Sequence, residues 1–479
     1  MSQSTTDRAR CHFTSRTGLV VIGQKIRMLG IFKPIEERVK IKQKVIQHTP
    51  IQKLLDGLIN ILAGGRGLVE VNKRVRSDRA VQRAFGRDGC AEQSVISDTM
   101  DAADAENVQQ MQGAVKEIYQ GHSAGYRHDY EQQFQLLDVD MTGQPCGKKA
   151  AFATKGYFPE QRSRRGRQLG RVLASWYGEI AVDRLFNGKT QLALAFQALV
   201  LAAEGVLDLD EDKRKRTILR ADGNGGSEAD VNWALSRGYH LHTKVYSWDQ
   251  ARKLADTVEV WHDDPKVPGR QIGWVTVETT KYVRPLKRIA VRTRKKNGQW
   301  GIGVILSSLP AEVVVSLARL PVHYLKDPIA VLRAYVYFYD LRGGGVETAF
   351  KEDKQGLGIT KRNKKSFEAQ QMLVQLNALA HNLIVWSRRW LAPASNWIGQ
   401  LGILRTVRDF FHVNGLVHFD ADGNIQRIIL SQADPFASSI CAGFRSLLDS
   451  QQADVNLGQI LVLQTDRLRL STIYIGKEQ

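Results

Sequence analysis

From Phe134 to Lys244 the hydrophobic period of the chain switches repeatedly, and the order of those switches limits the fold more than any other feature. FQLLDVD predicts a strand. QLGRVLASW and EIAVDRLF predict two more, joined in a hairpin at Tyr177–Gly178. An apolar helix follows from Lys189 to about Gly205. RTILRAD is a short apolar strand running into DGNGG, SEADVNWALSRG reads as a helix, and YHLHTKVYS completes a strand–helix–strand unit. An antiparallel trio followed by alternating helices and strands predicts a mixed sheet covered by helices, an α+β or α/β fold.

The flanking regions differ in texture. Residues 1–125 are basic and mainly helical, with apolar residues at helical spacing in QKLLDGLINILAGG, and read as a DNA-binding region. Within it a short helix ending near Gly86 and a second beginning near Gln93, with Ser94, Ser97 and Asp98, are compatible with a helix-turn-helix. Residues 126–254 form the first part of the core. Residues 255–325 are rich in Val, Thr, Ile and Trp and read as an inserted β-subdomain; residues 326–479 are the second part of the core and a helical C-terminal region.

Charge narrows the function. Lys and Arg number 68 against 49 Asp and Glu, a formal net charge of +19. Such an excess favours a polyanionic partner, because neutralised phosphates release their condensed counterions. Arg284, Lys287, Arg288, Arg292 and Arg294 lie in a run, 281–300, that holds no acid, which favours a phosphate-contacting strand over a merely solvated face. A membrane protein is not expected: the longest apolar run, Leu192–Ala203, is broken by Gln197 and falls short of the roughly 20 residues a bilayer needs. The N-terminus has no apolar signal core, and the four cysteines are scattered without paired spacing, so a reducing cytoplasm is expected.

Three segments end core elements in acids. Alternation in FQLLDVDMTG puts Phe134, Leu136, Asp138 and Asp140 on one face. Asp222 ends the apolar strand RTILRAD. In YDLRGGGVETAFKEDKQGLG a helix opens near Val346, with Glu347, Lys351 and Lys354 at i, i+4 and i+7 along one face. Phosphodiester cleavage explains such a set: two divalent ions about 4 Å apart activate the attacking oxygen and stabilise the leaving one. Those ions take oxygen ligands, which carboxylates on separate rigid elements supply. Each acid also has a bland reading. Asp140 could pair with a structural arginine, as Asp138 is expected to; Asp222 could cap the next helix; Glu347 and Lys354 could lie on an ordinary surface helix. DVDMTGQPCGKK is no calcium loop, since Lys149 stands where a bidentate Glu is needed, and neither glycine-rich turn has the phosphate-loop frame.

Tyr339, Arg342, Glu347 and Lys354 together resemble the Y-R-E-K box of bacterial insertion-sequence DDE transposases. The resemblance covers about residues 50–395, and ALAHNLIVWSRRWL resembles the helix that closes the family's core. One departure stands out: Gly343–Val346 separate Arg342 from Glu347, one residue more than the family's usual spacing. The resemblance implies a ribonuclease H-like mixed sheet flanked by helices, with the β-rich insertion between the second aspartate and the glutamate. It selects Asp140, with Thr142 close behind, over Asp138, and makes Asp140, Asp222 and Glu347 the catalytic and metal-binding residues for two Mg²⁺ ions, with Mn²⁺ able to substitute. Tyr339, Arg342, Lys351 and Lys354 would then lie at the DNA near the cut.

The function so implied is cut-and-paste transposition. The chain would bind the inverted-repeat ends of an element, cleave by water attack, and join the freed 3′-hydroxyl to target DNA. Double-stranded DNA is the expected partner, a homodimer the expected synaptic state, and the bacterial cytoplasm, at the nucleoid, the expected location. The alternatives are an inactive end-binding repressor and a ribonuclease H-like nuclease.

Overall fold

The computed structural model describes residues 11–156, 158, 164–277, 279, 281–448, 453–463 and 471–475. Residues 1–10, with Arg8 and Arg10 of the basic N-terminal stretch, lie outside them, as do Glu278 and Thr280. Packing divides the chain into two units: residues 123–351, and residues 1–122 together with 352–479. The boundary at Lys351 falls inside residues 326–479, which the sequence reads as the second part of the core followed by a helical C-terminal region.

The unit formed by residues 123–351 is built on one sheet, and its main elements are numbered within it. Strands β1 (Gln135–Pro145), β2 (Arg165–Ala174) and β3 (Glu179–Asn187) form an antiparallel trio, turning at Gly178 with φ of +63°. Helix α1 (Leu192–Leu207) follows and packs on that trio. Strand β4 (Thr217–Ala221) then pairs parallel to β1. Helix α2 (Glu228–Ser236), capped by the Ser227 hydroxyl at the Asp230 amide, leads to β5 (His240–Lys244), parallel to β4. Strand β4 is buried along its whole length, which is why its sequence is apolar rather than alternating.

The residues expected as an inserted β-subdomain supply β6 (Arg270–Trp274), β7 (Lys287–Arg294) and β8 (Trp300–Ser307). They do not close into a sheet of their own. Strand β8 pairs antiparallel with β5, Ile305 opposite Lys244, so the order runs β3–β2–β1–β4–β5–β8–β7–β6. This pairing covers what would otherwise be an open edge at β5. Helix α3 (Pro328–Asp340), capped by Asp327, lies against β6–β8. There Tyr335 and Phe338 share a core with Leu136, Ile218, Ile289 and Ile305. Helix α4 (Val346–Glu352) follows a short turn.

The other unit is mixed. Cys11–Thr14 pairs antiparallel with Gly415–Phe419 in a sheet completed by Ile425–Ser431, Asp454–Leu463 and Ser471–Ile475. Its long helix, Phe367–Leu391, contains the ALAHNLIVWSRRWL stretch and packs on Pro50–Leu62 and Ala105–His122. Thr49 and Gln52 form a reciprocal cap at the start of Pro50–Leu62, and buried Asp56 is held by Arg87 at 3.0 Å. The two segments read as a helix-turn-helix are the helices Arg79–Ala84 and Gln93–Asp101, flanking a turn with Gly86 at φ of +70°. In the second helix Ile96, Thr99 and Met100 are buried and Ser97 binds Lys364, leaving Ser94 and Asp98 exposed. No helix of the described residues is long and apolar enough to cross a membrane.

Candidate active site

Strands β1 and β4 run parallel in register, Asp138 beside Arg220 and Val139 beside Ala221. The next residue on each strand is an aspartate, so Asp140 and Asp222 leave neighbouring strands at the same level. Asp138 is already engaged. Arg220 grips both its oxygens at 2.7 and 2.9 Å, and the Ser175 hydroxyl donates to one at 2.6 Å. Arg220 also donates to the Phe338 carbonyl at 2.8 Å, tying the end of α3 to the sheet. Asp138 is thus the partner of a structural arginine, and Asp140 is the aspartate turned toward the neighbouring site.

Asp222 is fixed through its backbone. The Thr243 hydroxyl donates to its carbonyl at 3.0 Å, and the turn beyond it lies tight on β5. A Cβ at Gly226 would stand 1.7 Å from the Lys244 carbonyl oxygen, so the last glycine of DGNGG is required by close approach. The cap of α2 is Ser227, and Asp222 instead stands before the 3-10 turn Gly223–Gly225, whose Gly225 amide donates to its carbonyl at 3.0 Å.

The third contribution comes from the turn after α3. Arg342, 3% exposed, reaches Asp140 at 2.8 Å with one nitrogen and Glu347 at 2.7 Å with the other. A Cβ at Gly345 would stand 2.4 Å from a carboxylate oxygen of Asp138, so this glycine lets α4 begin against β1. Tyr339 is buried, and the Lys244 ammonium lies 4.6 Å from its ring centre.

These groups feel one another's charge. Burial, joined by the charges of Asp222 and Glu347, pushes the Asp140 carboxyl up to about 6, against the pull of Arg342. Burial opposes the Arg342 charge, yet Asp140, Asp138 and Asp222 hold its pKa above the usual guanidinium range. Burial pushes Lys244 down, opposed by Asp340, Asp222 and Glu347. The Tyr339 hydroxyl is pushed up, chiefly by burial. Burial weighs most in raising Asp140, with the charges of Asp222 and Glu347 adding to it, and carboxylate oxygens of this kind suit a hard divalent cation. Arg342 holds that place between Asp140 and Glu347. As the side chains stand, no three His, Cys, Asp or Glu among the described residues are gathered closely enough to share an ion.

The expected DNA-contacting residues fall into separate settings. Lys351 is exposed on α4. Lys354 belongs to the other unit, in a π-helical turn, Asp353–Leu357, so its seven-residue spacing from Glu347 is not that of a regular α-helix. On β7 and the segment before it, Lys287 and Arg294 are exposed, Arg288 is buried, and Arg284 donates to the Tyr239 carbonyl. Arg292 lies between the Trp261 and Trp300 rings, 4.1 and 4.7 Å from their centres, and donates to Gln271. Sequence reasoning missed Arg220, Ser175, Thr243 and Lys244. A lone cation inside an apolar strand was the available signal for Arg220; Lys244 at a strand end gave none.

No family model matches the chain, and no curated protein does. Among solved structures it is similar to the piggyBac transposase, determined by cryo-electron microscopy in a synaptic complex with hairpin DNA. Identity is 10% and the TM-score 0.46, over 92% of this chain and 84% of that one. A likeness this distant does not establish a function.

Proposed function

We propose that the chain is a DDE transposase with a ribonuclease H-like core, which binds the inverted-repeat ends of an insertion sequence and cleaves and joins DNA strands there. The observation that carries the reading is the convergence on Arg342. Asp140 and Glu347 both bind its guanidinium, and Asp222 leaves the strand beside Asp140 at the same level.

Asp140, Asp222 and Glu347 are the residues that would hold two Mg²⁺ ions, or Mn²⁺. Bound there, such ions supply a polarised attacking oxygen and neutralise charge on the leaving one. The protein's own groups do the positioning. Arg220 locks Asp138 and the end of α3, so Asp140 and the Tyr339–Arg342 turn keep a fixed separation. The planar fork of Arg342 matches a phosphate as well as it matches a carboxylate, so it can move from Asp140 and Glu347 to a DNA backbone oxygen. Exposed Lys287, Arg294 and Lys351 carry positive charge suited to duplex DNA. Cutting two ends together calls for two such sites, hence a homodimer.

The alternative reading is an end-binding repressor without catalysis. One assay decides between them: cleavage of a labelled duplex carrying the inverted repeat beside the gene, with Mg²⁺, for wild type and Asp222→Asn. Cutting at the repeat boundary by wild type, with binding alone by the variant, supports the transposase. Binding by both without cutting, in Mg²⁺ or Mn²⁺, moves the repressor ahead. Equal cutting by both removes Asp222 from the site.

A further inference from the structure

Lys244 is a candidate-site cation that neither the Y-R-E-K pattern nor the basic run contains. It ends β5, next to the strand that delivers Asp222, and its backbone is pinned there by the Gly226 turn and by β8. On β8, Gly303 lies two residues from Ile305, the partner of Lys244, and a Cβ built there would be in ordinary contact with Cδ and Cε of Lys244, 3.6 Å from each. The side chain therefore lies along the sheet and ends over the Tyr339 ring, 4.6 Å from its centre. Among the described residues its ammonium makes no hydrogen bond and no ion pair, although Asp222, Glu347 and Asp340 act on it electrostatically. Held against a ring face and without a carboxylate in hydrogen-bond reach, this half-buried ammonium keeps its donors open to a ligand. The open ligand must be an anion that fits beside a carboxylate cluster, and a phosphodiester is such an anion.

Resting on the transposase reading, we infer that the Lys244 ammonium is a phosphate-binding group of this site, taking a non-bridging oxygen of the DNA backbone at the position to be cut. Tyr339 gives the lysine's charge a ring face while no DNA is bound. Lys244 then works opposite Arg342: the arginine is tied to two carboxylates before DNA arrives, and the lysine is open from the start.

The test uses the full chain, Lys244→Met and Lys244→Arg, and duplex ends carrying one neutral methylphosphonate at successive positions around the cut. Thermal melting first establishes that the variants fold; Lys244→Gln replaces the Met variant if that one does not. In a binding assay, wild type is expected to lose affinity when one particular phosphate is neutralised, and Lys244→Met is expected to be insensitive to that same change. Lys244→Arg should regain sensitivity. In cleavage at saturating DNA, Lys244→Met should be slower by about 10²-fold, the effect of removing one donor to developing charge. The inference falls if the methylphosphonate penalty is the same in wild type and Lys244→Met, or if the Met variant cuts at the wild-type rate. Because the interference pattern is read from binding, it decides the role of Lys244 even if wild type proves unable to cut, an outcome that would instead overturn the transposase reading.

Discussion

Asp140 and Arg342 set the behaviour of the site at the scale of single residues. A carboxyl whose pKa is raised from 3.8 to about 6 on folding favours its protonated form, so its contribution to stability is fully present below about pH 4 and is lost as the pH rises through about 6. Two consequences can be measured. In metal-free buffer Asp140→Asn is expected to melt higher than wild type above pH 6, with the gap closing toward pH 4; a variant that melts lower at pH 7 contradicts the charge account. Arg342→Ala should do the reverse, since it leaves Asp140 and Glu347 facing each other without a cation. Its metal-free melting temperature should fall by several degrees, at roughly 2–4 °C per kcal/mol, and Mn²⁺ should restore more of the loss than it adds to wild type. If Mn²⁺ shifts both proteins equally, the carboxylates and the arginine do not compete for one place.

The separation of β1, β4 and α3 is an element-scale property, and it hangs on the Asp138–Arg220 pair. Arg220→Leu strands a buried carboxylate and should cost about 3–5 kcal/mol in denaturant unfolding; a loss under about 1 kcal/mol would mean the pair is not what joins these elements. At this scale the sequence was readable where periods are local. The trio, the helix after it, α2 and β5 follow from strand and helix patterns, β4 from a short apolar run, and the shared face of Asp138 and Asp140 from period two. What was not readable is pairing at a distance. β6–β8 read as a separate subdomain because nothing in their residues says that β8 will lie on β5. Lys244 was missed for a related reason: at the end of YHLHTK it looks like a solvated strand terminus until Gly226, Gly303 and Tyr339 are placed around it. The π-helical turn at Asp353–Leu357 has no sequence signature of this kind, so the spacing from Glu347 to Lys354 reads in the sequence as regular helix.

Over the whole molecule, the net charge of +19 and the division into a continuous unit and a two-segment one matter most. The two segments, 1–122 and 352–479, share one sheet through the pairing of Cys11–Thr14 with Gly415–Phe419, a contact no local pattern foretells. The charge was legible, and its consequence is quantitative. If binding neutralises 6–10 phosphates, affinity for duplex DNA should fall by roughly 10³–10⁵ between 50 and 200 mM salt. A salt response of a few-fold would mean the basic excess is not used on DNA.

The central claim is that Asp140, Asp222 and Glu347, carried by three elements, form one metal centre. Iron-directed cleavage of the polypeptide tests it most directly: Fe²⁺ with ascorbate and peroxide cuts the backbone beside wherever the metal binds. The account expects fragments ending next to Asp140, Asp222 and Glu347 together, suppressed by excess Mg²⁺ and absent in Asp222→Asn. Fragments arising elsewhere, or the same three persisting unchanged in Asp222→Asn, would contradict it.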